Sequence, residues 1–297
     1  MKRFHVGQTI ALVRPRSLDF LALAKPELTL MSVLTAVGGA FLGMTPGGSL
    51  LVLFWTFAGT LAVGAGAGAL NMALEHAYDA RMKRTQNRPV PAGRVSPFEA
   101  TIFGLSLSVL GIGILVAMTT PLAGLLAAAT LATYLFLYTP LKRLTPFATI
   151  IGAVPGALPP VIGWAAARGE IGLPGWALFA ILFFWQMPHF LSLSWLYRRD
   201  YGNAGYRLLS VVDESGVIVR RQILIFSFTL IPATLLPAYT NTLGPIYFLG
   251  ALLLSSAFMF TAFRCMRPLT NASARVLFLA SLFYLPALIC LMAIDKV

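Results

Sequence analysis

Long stretches without a single Asp, Glu, Lys or Arg divide this chain. They cover residues 28–74, 100–141, 144–167, 171–197, 222–263 and 276–294. A helix that crosses a bilayer needs about 20 consecutive apolar residues. Three of the stretches run for 42 to 47 residues, enough for two crossings each, and each of the others suffices for one. Because the apolar runs are continuous rather than alternating, a transmembrane barrel is excluded.

Turn signals interrupt the three longest stretches near their midpoints. They are Thr45-Pro46-Gly47-Gly48-Ser49, Thr119-Thr120-Pro121 and Asn241-Thr242-Leu243-Gly244-Pro245. Proline and glycine among small polar residues are typical of loops. The sequence therefore predicts an all-α integral membrane protein with nine transmembrane helices, here called spans 1 to 9 in chain order. We expect a cytoplasmic segment at 1–27 and one nine-helix domain at 28–297.

Composition supports a membrane protein over a soluble one. Of the 297 residues, 58% are apolar and 11% are charged, whereas soluble domains are about half apolar and a quarter charged. The net charge of +12 would suit a nucleic-acid partner, but so apolar a chain has little solvated surface to face a phosphate backbone. We therefore expect contact with the lipid bilayer and none with nucleic acid.

The basic residues predict the orientation of the chain. Twenty of the 22 lie before span 1 or after spans 2, 4, 6 and 8, and the exceptions are Arg168 and Lys296. Because basic residues collect in cytoplasmic loops, we expect a cytoplasmic N-terminus and a periplasmic or external C-terminus. No signal peptide or Arg/Ser-rich transit peptide is visible, which favours a bacterial inner membrane.

The end of span 2 carries the most informative polar residues. Asn71, Glu75 and Asp79 recur every four residues, so on a helix they share one face at steps of about 6 Å. Oxygen ligands at this spacing suit Mg²⁺, and the basic residues Arg84 and Arg88 that follow suit phosphate. The pattern predicts a metal-diphosphate site, although a solvated helix end with salt bridges is the alternative.

Two further segments on the same side carry candidate site residues. Asp200 follows span 6 among arginines and could face the end of span 2 across a cavity, or form a local salt bridge. Between spans 4 and 5, a stiff loop with Pro140 and Pro146 could present Lys142 and Arg143 to a phosphate. Positive-inside charge explains the cations of this loop but does not require its rigidity.

Spans 5 and 6 contain unusual residues for membrane helices. Pro155, Pro159 and Pro160 predict a kink in span 5. Gln186 and His189 lie deep inside the apolar run of span 6. His189 could ligate a haem iron or bond a substrate, or it could be a neutral histidine satisfied by a neighbouring helix.

Together these residues resemble the UbiA superfamily of intramembrane prenyltransferases. The Asn71/Glu75/Asp79 helix end with its Arg-Thr…Asn-Arg-Pro tail is similar to the first Asp-rich motif of that superfamily. Four other segments resemble the branch that farnesylates haem: Tyr138-Thr-Pro-Leu-Lys142-Arg143, the proline-rich run of span 5, Trp185-Gln-Met-Pro-His189-Phe190 and Asp200-Tyr-x-x-Ala-Gly205. The likeness extends from Lys25-Pro26 to the end of the chain.

The resemblance implies nine helices around a central cavity open to the cytoplasmic side. It implies transfer of a farnesyl group from farnesyl diphosphate to a vinyl group of haem B, through Mg²⁺-assisted departure of diphosphate and a farnesyl cation. A haem A synthase or a terminal oxidase assembly protein is the implied protein partner. It gives catalytic roles to Asn71, Glu75, Asp79 and Lys142, and metal binding to the first three and Asp200. Substrate-binding roles fall to Tyr138, Arg84, Arg88, Arg143, His189, Arg199 and Asp200.

The chain departs from the superfamily pattern at three positions. Glu75 stands where many members have Asp, which keeps a carboxylate. Ala204 lies four residues after Asp200, so a symmetric second Mg²⁺ site is doubtful. The acid Glu27 after Lys25-Pro26 has no explanation in the sequence.

Three other functions remain open at this point. Another superfamily member acting on an aromatic or quinone precursor should carry two full acidic motifs and lack the Trp-Gln-Met-Pro-His-Phe block. A transporter should have polar residues near the membrane midplane in inverted halves, whereas the acids here lie at the predicted cytoplasmic ends of even-numbered spans, which is evidence against transport. A non-catalytic haem-binding or assembly subunit should release no diphosphate in the presence of Mg²⁺.

Overall fold

The computed structural model describes residues 15–265 and 268–297, and all that follows concerns these residues. Of the basic residues used to predict orientation, Lys2, Arg3, Arg14 and Arg267 lie outside this part. Within it, nine helices are long and apolar enough to cross a membrane, which confirms the predicted number. They are Pro26–Gly43, Leu51–Asp79, Pro97–Met118, Pro121–Leu144, Ala148–Arg168, Gly172–Leu196, Val217–Tyr239, Pro245–Arg264 and Asn271–Ile294.

Three short helices accompany the spans. Arg16–Leu23 precedes span 1, while Arg198–Asn203 and Leu209–Val212 connect spans 6 and 7. Span 1 begins at Pro26, two residues before the predicted domain start, because proline suits the first turn of a helix, where its missing N–H is not needed.

Two spans are irregular. Span 4 contains a π-helical segment, Thr133–Tyr138, and continues as the helix Thr139–Leu144. The prediction of a stiff loop was therefore wrong for Lys142 and Arg143, which lie in the last turn of span 4, because proline is tolerated in the first turn of a helix. Span 5 consists of the helices Ala148–Ala157 and Pro159–Arg168, which meet at Leu158. Since proline cannot donate a backbone hydrogen bond, the break at Pro159 fits the expected kink.

Small residues allow some spans to pack with their backbones close together. In spans 2 and 3, a Cβ on Gly66 would overlap Ser108, and one on Gly111 would come within 2.6 Å of the Gly59 carbonyl oxygen. In spans 1 and 5, a Cβ on Gly39 would overlap the Pro160 carbonyl oxygen. Such contacts replace the hydrophobic effect, which is weak between helices in lipid.

A buried hydrogen-bond network joins spans 7, 8 and 9. The Tyr247 hydroxyl donates to the Thr234 carbonyl oxygen at 2.6 Å. The Ser255 hydroxyl lies 2.9 Å from both the Thr234 and the Tyr284 hydroxyls. These bonds hold the last three spans together away from the acidic end of span 2.

The ends of spans 2, 4 and 6 lie at the same end of the bundle, called here the site end. The N-terminal helix is bound there by ion pairs, one from Arg16 to Glu99 and one from Arg94 to Asp19 at 2.9 Å. At the opposite end, Lys296 donates to the carbonyl oxygen of Met44, one residue past span 1, at 2.8 Å.

An apolar cavity of about 320 Å³ lies between spans 1, 2, 5, 6 and 9. Its walls include Leu34, Phe41, Pro160, Ile181 and Met292. On span 1 the lining starts at Leu34, which is about 14 Å along the helix from Lys25. The lining also includes Leu53 near the start of span 2, so the cavity lies toward the end of the bundle opposite to the site end.

Candidate active site

The three polar residues predicted at the end of span 2 are buried. Asn71 and Asp79 are each 2% exposed and Glu75 is 5% exposed. Their spacing of four residues in the helix Leu51–Asp79 puts them on one face. Because a buried carboxylate is costly unless it is paired, their surroundings must supply compensating charge.

Each of the three side chains has its own cation. The pairs are Lys25 Nζ to Asn71 Oδ1 at 2.6 Å, Lys142 Nζ to Glu75 Oε1 at 2.7 Å and Arg88 Nη1 to Asp79 Oδ2 at 2.8 Å. The cations come from three separate segments: the turn before span 1, the end of span 4 and the loop after span 2. We call these six residues the paired array.

Asn71 links two parts of the array. Its Nδ2 donates to Glu75 Oε2 at 2.8 Å, and its Oδ1 accepts from Lys25. Nδ2 also lies 3.4 Å from the hydroxyl of Thr139 at the end of span 4. The amide thereby connects Lys25, Glu75 and span 4 in one network.

Aromatic rings surround the Lys142 ammonium. Nζ lies 4.7 Å from the ring centre of Tyr138 and 5.9 Å from that of Tyr206. Lys142 is only 12% exposed, and Arg207 donates its backbone N–H to the Lys142 carbonyl oxygen at 3.0 Å. Burial raises the pKa of Tyr206, and the Glu75 carboxylate raises it further.

Lys25 belongs to the site although the sequence analysis did not assign it there. Its backbone has a positive φ of 46°, a conformation rare outside glycine. Burial, and next the positive charge of Arg88, lower the pKa of Lys25 to about 7. In the sequence it was a lysine directly before a span, at the start of the family resemblance, and membrane orientation alone explained its charge.

Arg84 and Arg143, both predicted to bind substrate, contact tyrosines in the structure. The Arg84 guanidinium lies 4.9 Å from the Tyr197 ring centre and donates to the Tyr201 hydroxyl at 3.0 Å. Arg143 lies 4.5 Å from the ring centre of Tyr78. These contacts connect the loops after spans 2 and 6 beside the paired array.

Asp200 and Arg199 lie on the short helix Arg198–Asn203. They line a small pocket of about 210 Å³ with Tyr197, Arg198 and Asn271. In the described part of the chain, no group of three or more His, Cys, Asp or Glu side chains could hold a metal ion. The metal-binding role of Asp200 thus stays a prediction.

His189 lies between spans 6 and 9. The Ser281 hydroxyl donates to the Phe278 carbonyl oxygen at 2.6 Å, so it accepts from His189 Nδ1 at 2.8 Å. The imidazole stacks on the Trp185 ring, with centres 5.1 Å apart. This arrangement puts the imidazole proton on Nδ1 and leaves the lone pair of Nε2 for another ligand.

The paired array fits a magnesium ion by the chemistry of its donors. Glu75, Asp79 and Asn71 offer carboxylate and amide oxygens, which Mg²⁺ prefers. Glu75 Oε1 accepts no well-aligned hydrogen bond, although Lys142 lies beside it. A buried oxygen of this kind gains from a divalent cation, provided that the paired cations find another anion.

Comparison with known proteins assigns the class. Residues 32–285 match the UbiA prenyltransferase family, and the chain belongs to this family. It is therefore a multi-pass membrane enzyme that transfers prenyl groups.

Several full-length relatives share one name. The chain is 43% identical to the protoheme IX farnesyltransferase of Koribacter versatilis, over 98% of both chains. It is also 43% identical to the enzyme of that name from Salinibacter ruber, over 93% of this chain and 98% of the relative. For the enzyme from Myxococcus xanthus the identity is 39%, with coverage of 94% and 95%.

Solved structures share the fold. A structure described as digeranylgeranylglyceryl phosphate synthase matches with a TM-score of 0.79 at 14% identity, covering 94% of this chain and 98% of that one. A UbiA homolog from Archaeoglobus fulgidus bound to GPP and Mg²⁺ matches with a TM-score of 0.67 at 16% identity, covering 93% and 99%. At these identities the likeness shows a shared fold.

Proposed function

We propose that this enzyme transfers a farnesyl group from farnesyl diphosphate to a vinyl group of protoheme IX, producing haem O. The observation that carries the proposal is the paired array, in which each of three buried oxygen-bearing side chains contacts one partly buried cation. A metal diphosphate satisfies both sets, because its metal takes the oxygens and its phosphates take the cations. The full-length relatives support farnesyl and haem as the transferred and accepting groups.

Asn71, Glu75 and Asp79 would hold Mg²⁺ in this reaction. When bound, the ion neutralises negative charge on the departing diphosphate. Lys142 and Arg88 would leave their carboxylates and bind phosphate oxygens, so that each cation keeps an anionic partner. Arg84 and Arg143, which lie over tyrosine rings, would attract the incoming diphosphate.

The tyrosines of span 4 would stabilise the positive charge that develops on the allylic carbon. The rings of Tyr134 and Tyr138 lie 5.7 Å apart, next to Lys142. Aromatic faces stabilise a carbocation and, unlike water, do not quench it. The farnesyl chain would extend from there toward the apolar cavity, whose lining includes Leu34 and Leu182.

His189 would contribute to haem binding through Nε2. Its Nδ1 proton is directed at Ser281, which is the arrangement that orients histidines bound to metals. Trp185 and Phe278 flank the imidazole and hold its plane. Asp200 and Arg199 would act as secondary contacts at the site end.

We also propose that the site end faces the cytoplasm of a bacterial inner membrane, with the C-terminus on the other side. The basic residues at the site end support this orientation. A haem A synthase or a terminal oxidase assembly protein would receive the product, because farnesylated haem is too apolar to diffuse through water.

The test is a reconstitution with purified protein. Haem B, farnesyl diphosphate and Mg²⁺ are supplied, and haem O is detected by mass. We expect haem O with the native protein, none with Glu75→Gln that still elutes as folded protein in size-exclusion chromatography, and native yield with the exposed control Glu214→Gln. Prenylated 4-hydroxybenzoate instead of haem O in a parallel reaction would assign the chain to the aromatic-acceptor branch of the family.

A further inference from the structure

The paired array contains one more positive charge than negative charge when Lys25 is protonated. Lys142 and Arg88 each form an ion pair with a carboxylate. Lys25 instead contacts Asn71, a neutral amide, and forms no ion pair within 4.0 Å with any carboxylate among the described residues. Lys25 is therefore the one cation of the paired array whose positive charge is not balanced by a carboxylate, because its partner Asn71 is neutral.

This excess matches the charge of the proposed ligand. A diphosphate monoester carries about three negative charges near neutral pH, since the last phosphate ionisation lies near pH 6. One Mg²⁺ reduces this to about one negative charge. Without Lys25 the array would be neutral, and a metal diphosphate would bring an uncompensated negative charge into a buried site.

The backbone around Lys25 is built to direct its side chain into the site. The positive φ of Lys25 turns the chain sharply between the helix Arg16–Leu23 and span 1. Gly68 of span 2 permits this approach, because a Cβ there would lie 3.0 Å from the Leu23 carbonyl oxygen. Thr29 donates its hydroxyl to the Ala24 carbonyl oxygen at 2.7 Å and braces the turn.

A residue that served only membrane orientation would not need such a turn. Strained backbone of this kind persists where the surrounding structure enforces it, and it is concentrated at functional sites. The exposed Lys83 in the loop after span 2 satisfies the orientation requirement without any directed contact. The geometry of Lys25 thus calls for a role in the site itself.

We propose that Lys25 is a diphosphate-binding residue and that its ammonium passes from Asn71 Oδ1 to a phosphate oxygen when substrate binds. The transfer would leave Asn71 Oδ1 without its hydrogen bond from Lys25, so that this oxygen could serve as a ligand of the metal ion. This inference rests on the proposed function of the site. It assigns Lys25 a contact with the substrate, not only with Asn71.

The experiment measures binding of farnesyl diphosphate by isothermal titration calorimetry in detergent, with and without Mg²⁺. Loss of a charged hydrogen bond in Lys25→Met should weaken binding about tenfold to a hundredfold under both conditions. Lys25→Arg should stay within about threefold of the native affinity, because it keeps the charge. Lys83→Met, which removes the same charge from the exposed loop, should leave the affinity unchanged.

The same measurement in the Asn71→Ala variant distinguishes direct binding of diphosphate by Lys25 from an indirect effect through Asn71. If Lys25 acts only by holding Asn71, Lys25→Met will weaken binding only with Mg²⁺ and will have no further effect in Asn71→Ala. Either result overturns the proposal. If Lys25→Met is poorly folded by size-exclusion chromatography, Lys25→Gln takes its place. Haem O formation by the native protein is scored separately, so that failure of the proposed function and failure of the Lys25 contact give different results.

Discussion

The Lys142 ammonium lies 2.7 Å from Glu75 Oε1 and joins the end of span 4 to the end of span 2. Both side chains are almost fully buried, at 12% and 6% exposure. A buried ion pair contributes little net stability, because desolvation offsets the attraction, yet loss of one partner is costly. This pair is therefore better explained by a ligand that separates it than by stability alone.

Single and double substitutions of this pair should affect stability and activity differently. Glu75→Gln or Lys142→Met alone should destabilise the protein by about 3–5 kcal/mol, because each leaves a buried charge unpaired. The double variant should recover part of that stability but no activity. Thermal unfolding and haem O assays on the three variants check this, and recovery of activity in the double variant would show that the pair is purely structural.

Removal of the metal should stop the reaction, and Asp79→Asn should weaken the affinity of the enzyme for Mg²⁺. We expect no product in EDTA and full recovery on adding Mg²⁺. Asp79→Asn should lower kcat/KM by about a hundredfold or more, because it removes a metal-binding charge. The Mg²⁺ dependence of diphosphate release measures both effects, and an unchanged Asp79→Asn profile would remove Asp79 from the metal site.

The imidazole of His189 should determine the absorption spectrum of bound haem. His189→Ala should alter the Soret band of the haem B complex, because the axial ligand is lost. Ser281→Ala should weaken haem binding by about tenfold, since it leaves the His189 imidazole free to rotate. His76 of span 2, whose Nδ1 lies 2.8 Å from the Ala73 carbonyl oxygen, is the histidine control, and His76→Ala should leave the spectrum unchanged. A native spectrum in His189→Ala would show that the iron has another ligand.

Asp213 should make the start of span 7 sensitive to acid. Burial acts to raise the pKa of Asp213, but hydrogen bonds from the Val219 N–H and the Ser215 hydroxyl outweigh it and hold the pKa below its ordinary value. The lowered pKa means that its stabilisation is present above about pH 4 and is lost as the pH falls through the native pKa. Asp213→Asn should lower stability by about 1 kcal/mol at pH 7 and remove this part of the acid sensitivity. Melting temperatures from pH 3 to pH 7 measure it, and parallel curves for the two proteins would contradict it.

Two adjacent glycines in span 1 should respond differently to alanine. A Cβ on Gly39 would overlap the Pro160 carbonyl oxygen, whereas one on Gly38 would meet nothing within 4 Å. Gly39→Ala should therefore force spans 1 and 5 apart and cost about 1–3 kcal/mol, while Gly38→Ala should be close to neutral. Thermal unfolding of the two variants compares them directly, and equal melting temperatures would show that the spans can shift without cost.

Much of the fold followed from the amino-acid sequence because the bilayer imposes simple rules. Uncharged runs of sufficient length must form helices in lipid, since every backbone N–H and C=O must be satisfied within the segment. The number of spans, the kink at Pro159 and the shared helical face of Asn71, Glu75 and Asp79 all depend on such local rules.

What only the tertiary structure decided is which distant side chains meet. Lys25 and Lys142 come from segments far apart in the chain, and their pairing with Asn71 and Glu75 depends on how spans 1, 2 and 4 pack. Hydrophobic patterns indicate that a segment spans the lipid bilayer, but they do not determine which other helices pack against that segment. The sequence pattern of a lysine next to a span is the same whether the lysine determines membrane orientation or belongs to a binding site. Only its position in the packed bundle distinguishes these two roles.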